Sequence, residues 1–386
     1  MSVEYRLGHT DHLKVEDFLA QKPSGVGAIA LHATAAKHQT AAAEAAVEAG
    51  VSVTYDPRTE RLALPGYGME KIPGHRGDPY DLAVLAAHPE QRQRLVNEVV
   101  DAHPDVATVI TPPSFFVAEP RTAFLNLALA ETTRQYTDRP VRPMITFASK
   151  VTEGLVREIA EEYARAGFGA VDVRFSPLGG ENDGIRKIKA VFKHLDAFKG
   201  VGLEVTLGQS GNVGQAAVAL GHADHYSVGV GQLEHVDHAR IVQQQSKPPV
   251  LDENGKKKKS GGAWEGIYLP GLALTVSKAV GTALLGHTDI RTRIGCRLGS
   301  CASSVMGPLD DHRSHYLHSR AAEMDRILSQ PPAWRSKAEI DRLARAIELR
   351  KLINKKYLRD GDAQLKTRTL ESIIGEIEAE RASEVA

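Results

Sequence analysis

The sequence predicts a (β/α)8 barrel of the TIM type, followed by a C-terminal helical appendage. Two observations carry that prediction. Short apolar runs recur about eight times between residues 28 and 269, each followed by a polar or glycine-rich corner and an amphipathic stretch. Parallel strands need helical crossovers, so this alternation implies a parallel sheet covered by helices. The units place the barrel in residues 1–286 and the appendage in residues 287–386.

The expected strands are 28–32, 51–55, 106–110, 143–147, 170–174, 203–207, 225–228 and 266–269. Residues 1–24 read as a lead-in with a short helix over 15–20. The first crossover, 35–49, is rich in alanine and stops at Gly50, a usual helix terminator. A long corner, 58–79, follows the second strand and contains Gly66, Gly68, Gly74 and Gly77. In a compact barrel such a length marks a lid or a binding loop. A helix carrying Leu82, Leu85, Leu95 and Val99, broken near Pro89, leads into the third strand. The next crossovers are 121–136, 153–166, 184–198 and 213–220. An insertion at 247–262, with Asn254-Gly255 and the lysine run 256–259, reads as a surface loop. The helix 272–285 then closes the barrel. In the appendage, Leu317, Ala321, Met324 and Leu328 form one stripe, and Leu370, Ile373, Ile374 and Ile377 form another. These stripes need a partner, either the outside of the barrel or a second subunit in a homo-oligomer.

Composition bounds the class. The 386 residues are 42% apolar and 25% charged, as in soluble globular proteins. No run of about 20 uncharged apolar residues exists, which excludes a membrane-spanning helix. Residues 1–14 are polar and lack the apolar core of a signal peptide, and two cysteines make no disulfide framework. A reducing cytoplasm is the expected setting. The formal net charge is zero, but residues from 241 onward hold 24 Lys and Arg against 18 Asp and Glu. Residues 335–359 hold nine basic and three acidic side chains and read as a solvated helix face.

A barrel of this type draws its catalytic groups from the carboxyl ends of its strands. Those stations are His32, Asp56 with Arg58, Lys150, Asp172 with Arg174, the corner 208–214 and the stretch 222–238. Asp172 and Arg174 share one parity, so both point to the same side of their strand. Inside a barrel they must pair or meet a ligand. Asp56 begins an Asp-Pro turn and is placed to act as a nucleophile or general base. Gly208, Ser210 and Asn212 lie where a corner enters a helix, which suits an anion. Gly229 and Gly231 hold a corner that binds phosphate in many barrels. Glu234 is a candidate general acid or base at the seventh strand.

Cys296-Arg-Leu-Gly-Ser-Cys301, with Tyr316-Leu317-His318 and Ala322-Glu323-Met324 after it, resembles the closing part of the tRNA-guanine transglycosylase family. That family includes the queuine and archaeosine enzymes and relatives that insert deazaguanine bases into DNA. Gly221-His-Ala-Asp224-His-Tyr226 also echoes the family's Gly-x-Asp-x-Phe strand. The resemblance implies a base exchange at a nucleoside C1′ through a carboxylate, with tRNA or DNA as partner. The position of the family's nucleophilic aspartate reads Ser227 here, so Asp56 takes that role, with Asp172 or Glu234 as the proton-transfer partner. Arg58, Lys150, Arg174, Asp224 and the glycine corners are then substrate-binding. A structural zinc is implied on Cys296, Cys301 and two of His312, His315 and His318, with His315 and His318 assigned. Two alternatives stand beside this reading. One is a lyase, aldolase or isomerase acting on a phosphorylated small molecule, with Lys150 forming a Schiff base. The other is a non-catalytic barrel that binds nucleic acid or a protein partner.

Overall fold

The computed structural model describes residues 1–231, 234–250, 253, 266–299, 306–358 and 363–385. The lysine run 256–259 and Cys301 lie outside the described residues. Seven parallel strands form one curled sheet: β1 (Ser2–Arg6), β2 (Val26–His32), β3 (Ser52–Asp56), β4 (Met144–Ala148), β5 (Ala170–Ser176), β6 (Glu204–Leu207) and β7 (His225–Gly229). Their order is β3-β2-β1-β7-β6-β5-β4, so the first strand is hydrogen-bonded to both the second and the last.

Three expectations about strands are corrected. The lead-in holds β1, whose alternating Ser-Val-Glu-Tyr-Arg pattern is too short to stand out as an apolar run. Residues 106–110 form no extended strand and contribute an isolated bridge at Ile110. Residues 266–269 form a strand, β8 (Gly266–Leu269), but it pairs antiparallel with β9 (Leu274–Ser277) outside the parallel sheet.

Between the edges β3 and β4, residues 108–117 still supply hydrogen bonds. The Thr108 and Val109 amides donate to the Val53 carbonyl at 2.9 and 3.2 Å. Arg142 N donates to Ile110 O at 2.9 Å, Val117 N to Thr146 O at 2.8 Å, and Ala148 N to Val117 O at 2.9 Å.

Side-chain alternation explains where the core lies. Val3, Tyr5, Val53, Tyr55, Val171, Val173, Phe175, Tyr226 and Val228 join the apolar core beneath the helices. Their neighbours Glu4, Arg6, Thr54, Asp172, Arg174 and Ser227 are buried and polar, and they occupy the other face of the sheet. The concave side is therefore a polar interior. At its lower level Arg142 donates two hydrogen bonds to Glu4, at 2.7 and 2.8 Å.

Helices α1 (His12–Ala20), α2 (Thr40–Glu48), α3 (Leu82–Ala87), α4 (Pro89–Val100), α5 (Pro120–Tyr136), α6 (Glu153–Arg165), α7 (Ile185–Gly200) and α8 (Gly211–Leu220) connect the strands. Helix α6 shows how the sequence sets them. Thr152 caps its first turn, Val156, Ile159, Ala160 and Tyr163 are buried along one stripe, and Gly167 at φ +79° ends the run. After β7 come α9 (His238–Gln245), the β8–β9 hairpin, α10 (Lys278–Gly286), α11 (Arg291–Ile294) and α12 (Gly307–Asp310). Three long helices follow: α13 (His312–Leu328), α14 (Pro332–Lys356) and α15 (Arg368–Val385).

The apolar stripes of the C-terminal helices find their partner on the sheet's own helical layer. Tyr316, Leu317, Ala321 and Met324 of α13 and Leu370, Ile373 and Ile377 of α15 belong to the main core. Tyr5 of β1 donates a 2.7 Å hydrogen bond to Leu317 O. Helix α14 is not simply a solvated basic face, because Arg342 and Arg350 are buried within it. Among the described residues no helix is long and apolar enough to cross a membrane.

His222 pins α15 in place. Its Nδ1 lies 2.7 Å from Asp196 of α7, and its Nε2 lies 3.0 Å from Glu380 of α15. Burial opposes its charge, but the two carboxylates outweigh that and push its pKa up to about 9. Because the folded value exceeds the ordinary 6.5, this contribution is full below pH 6.5 and is lost as pH rises through 9. We expect wild-type stability to fall by about 2 kcal/mol across that window relative to His222→Gln, which should lack this component. Urea denaturation at stepped pH checks it.

Candidate functional site

The carboxyl ends of β1, β2, β3, β5 and β6 converge on one array of charges. Arg6, at the end of β1, bridges two carboxylates. It forms an ion pair with Asp56 of β3, and its Nη1 lies 3.4 Å from Asp172 of β5. Asp172 also accepts from Arg174 Nη2 at 2.9 Å. The order Asp56–Arg6–Asp172–Arg174 alternates in sign and sums to zero charge, which offsets the cost of burying each member. Burial works against the charge on both aspartates. For Asp172 the nearby Arg174 and Arg6, and for Asp56 the nearby Arg6 and Arg174, still hold the carboxyls below their ordinary range.

This layer nearly fills the interior. The void among Arg6, Thr54, Tyr55, Thr111, Asp172 and Arg174 is about 10 Å³, room for no more than a water. Gly208, just after β6, is required by the same crowding. A Cβ there would clash with Asp172 Oδ1 and lie 2.6 Å from Arg174 Cγ.

Above the layer stand Arg58, His32, Glu60 and Gln209. Arg58 has φ +58°, an unusual backbone for a residue with a side chain. Its N–H donates to Asp56 Oδ1 at 3.2 Å, and its Nη1 donates to His32 Nε2 at 2.8 Å. The other ring nitrogen, Nδ1, accepts from the Thr34 N–H at 3.2 Å and lies 3.1 Å from Thr34 Oγ1. Burial, and then the Arg58 charge, push His32 down to about 3, so it is neutral near pH 7. Glu60 behaves in the opposite way to Asp56. Burial, and next the Asp56 charge, raise its pKa, and its buried Oε2 has no hydrogen-bond partner. Gln209 also adopts a positive φ, +44°, and its side-chain oxygen lies 3.5 Å from Arg174 Nη1.

The long glycine-rich corner is tied across this mouth. Gln245 of α9 donates to the carbonyls of Arg61 and Leu64, both at 2.9 Å, and accepts from Arg61 Nε at 3.0 Å. His238, at the start of α9, stacks on Phe116 with ring centres 3.9 Å apart. Its N–H donates to Ser176 Oγ, at the end of β5, at 2.7 Å.

Of the residues singled out from sequence, Asp56, Arg58, Asp172, Arg174 and Gly208 meet at this mouth. Lys150 lies exposed beyond the end of β4. Gly229 closes β7 opposite Arg6, and Gly231 follows it with φ +68°. Other candidates lie elsewhere. Ser210 donates to Leu207 O, and Asn212 faces the C-terminal helices, bonding Ala273 O and Arg342. Asp224 sits just before β7, at the opposite end of the sheet, against Lys199. Glu234 pairs with Arg320 and accepts from Tyr316 at 2.8 Å. Arg6 and Glu60 were missed. Arg6 was hidden because its strand was read as lead-in, although it repeats the parity signal of Asp172 and Arg174. Glu60 carries no local signal, since its burial depends on the folded corner.

Of the implied zinc ligands, Cys301 lies outside the described residues. Among the described residues no group of three or more His, Cys, Asp or Glu could hold a metal ion. His315 Nε2 lies 2.6 Å from Tyr268 O, and His318 packs edge-on against Phe18.

No family model and no curated protein matches the chain. Among solved structures, it is similar to "QR15, an aldolase" at 14% identity, over 63% of this chain and 95% of that one, with a TM-score of 0.36. It is similar to 3-dehydroquinate dehydratase from Geobacillus kaustophilus HTA426 at 12% identity, over 64% and 92%, with a TM-score of 0.35. A putative fructose-1,6-biphosphate aldolase from Coccidioides immitis matches at 10% identity, over 85% and 88%, with a TM-score of 0.34. No family model, that of the tRNA-guanine transglycosylases included, matches, so that resemblance does not hold. The residues that carried it have a packing role: Tyr316, Leu317 and Met324 are buried where α13 meets the sheet.

Proposed function

We propose that the chain is a (β/α)8 barrel enzyme in which residues 108–117 serve as the irregular eighth stave between β3 and β4. On this reading it is a lyase, aldolase or isomerase acting on a phosphorylated small molecule at the mouth of the sheet. The observation that carries the reading is Glu60, whose Oε2 is buried near Arg58 without a hydrogen-bond partner and whose pKa burial raises. Arg58 and Gln209 lie above a filled interior and suit a phosphate or carboxylate group of the substrate. Glu60 then donates a proton to an oxygen on which negative charge develops, while the ionised Asp56 keeps Arg58 oriented.

The test is turnover of a panel of phosphorylated keto acids, aldoses and ketoses. Glu60→Gln should lower kcat by about 10²–10⁴-fold while leaving the fold intact. Wild-type kcat should decline at high pH, because the acid form of Glu60 is the active one. Turnover unchanged in Glu60→Gln would remove Glu60 from this role. Borohydride trapping with the same carbonyl compounds decides between proton transfer alone and an imine. Labelled Lys150 would assign the covalent step to that exposed lysine.

A further inference from the structure

Away from the mouth, a second cavity of about 510 Å³ opens between the β8–β9 corner, α11 and one face each of α13 and α14. It is lined by five arginines, Arg293, Arg297, Arg326, Arg342 and Arg345, against two carboxylates, Glu323 and Glu348. Glu323 is already engaged, accepting from Tyr268 Oη at 2.8 Å and from Arg320 Nη1 at 3.3 Å. No carboxylate of the described residues pairs with Arg293, Arg297, Arg326 or Arg345.

At its inner wall Arg342 is 5% exposed, yet its Nη1 has no hydrogen-bond acceptor. Its Nε and Nη2 donate to the buried Glu339 at 2.9 and 2.6 Å, and Nη1 itself lies 3.7 Å from Glu323 Oε2. A buried guanidinium N–H without an acceptor is costly unless a ligand completes it. Pro270, Leu298, Ala322 and Leu349 add an apolar part to the wall. A cavity of this size, with clustered arginines and an apolar part, matches a drug-sized ligand carrying several negative charges.

We infer that this cavity binds a nucleoside polyphosphate, with the phosphates toward the arginines and the base toward the apolar part of the wall. The site belongs to the C-terminal helices and does not depend on the reaction proposed at the mouth. Its inner wall meets the sheet through one chain of contacts, because Arg320 joins Glu323 to Glu234 in the loop after β7.

Isothermal titration of the full chain with magnesium-free ATP tests the inference. ATP should bind, and the pair Arg326→Glu and Arg345→Glu should weaken binding by about tenfold or more. Both side chains are exposed, so the unliganded melting temperature should not move. Arg297→Glu, on a separate element, should weaken binding in the same direction. Arg58→Gln at the mouth should leave ATP affinity unchanged. Equal affinity in the wild type and in the charge-reversed proteins overturns the site, as does loss of binding in Arg58→Gln alone. Tripolyphosphate binding as tightly as ATP overturns the role of the apolar part. A single-stranded oligonucleotide outcompeting ATP overturns the small-molecule assignment.

Discussion

Asp172→Asn is expected to destabilise the protein by about 3–5 kcal/mol, close to half the stability of an ordinary domain. The asparagine keeps the shape of the side chain and removes only its charge. Arg6 and Arg174 then share the single remaining carboxylate of Asp56, and one guanidinium is left buried without compensation. The loss should appear as a lower urea midpoint with an unchanged slope, since the surface exposed on unfolding is the same. Adding Arg174→Leu should recover part of the loss, because the orphaned charge is removed together with its partner. A cost below about 1 kcal/mol would mean that Asp172 is solvated like a surface pair, contrary to its burial. The same variant should also impair turnover, since the layer supports Gln209 from below and, through Asp56, Arg58.

This layer also marks how far the sequence could be read. The alternation of apolar strand and amphipathic helix is a local property, and it located most of the parallel strands. Asp172 and Arg174 could be placed on one side of β5 by parity alone. Closure of the sheet is not local. That β1 lies between β2 and β7 depends on pairings across more than 200 residues, and its five residues alternate too briefly to read as a strand. The hairpin strand at 266–269 has the composition of a barrel strand, and only its partner, Leu274–Ser277, separates it from the parallel sheet. Among the acidic candidates, Asp56 ends its strand and Asp224 immediately precedes its own. The structure therefore puts them at opposite ends. Glu60 escaped notice because its raised pKa arises from burial under a corner that Gln245, far along the chain, holds in place.

Arg320→Met should produce a loss of similar size by a different route. Arg320 is 1% exposed and gathers groups from four elements. It pairs with Glu234 in the loop after β7 and donates to Glu323 on its own helix and to Asn212 of α8. Its guanidinium also lies 4.3 Å from the centre of the Tyr268 ring in the β8–β9 hairpin. Methionine fills much of the volume but supplies no charge. Glu234 keeps the Tyr316 hydroxyl, and Glu323 keeps Tyr268 and the more distant Arg342, so neither carboxylate is wholly abandoned. A loss of about 3–5 kcal/mol is expected, since breaking a buried pair leaves an uncompensated charge. Adding Glu323→Gln should restore about 1–2 kcal/mol by lowering that charge. Because Arg320 joins the β7 loop to α13 and the hairpin, the variant should also become more sensitive to limited proteolysis in that loop. Equal protection in variant and wild type would mean that apolar packing of α13 alone holds the loop, with the ion pairs adding nothing to it.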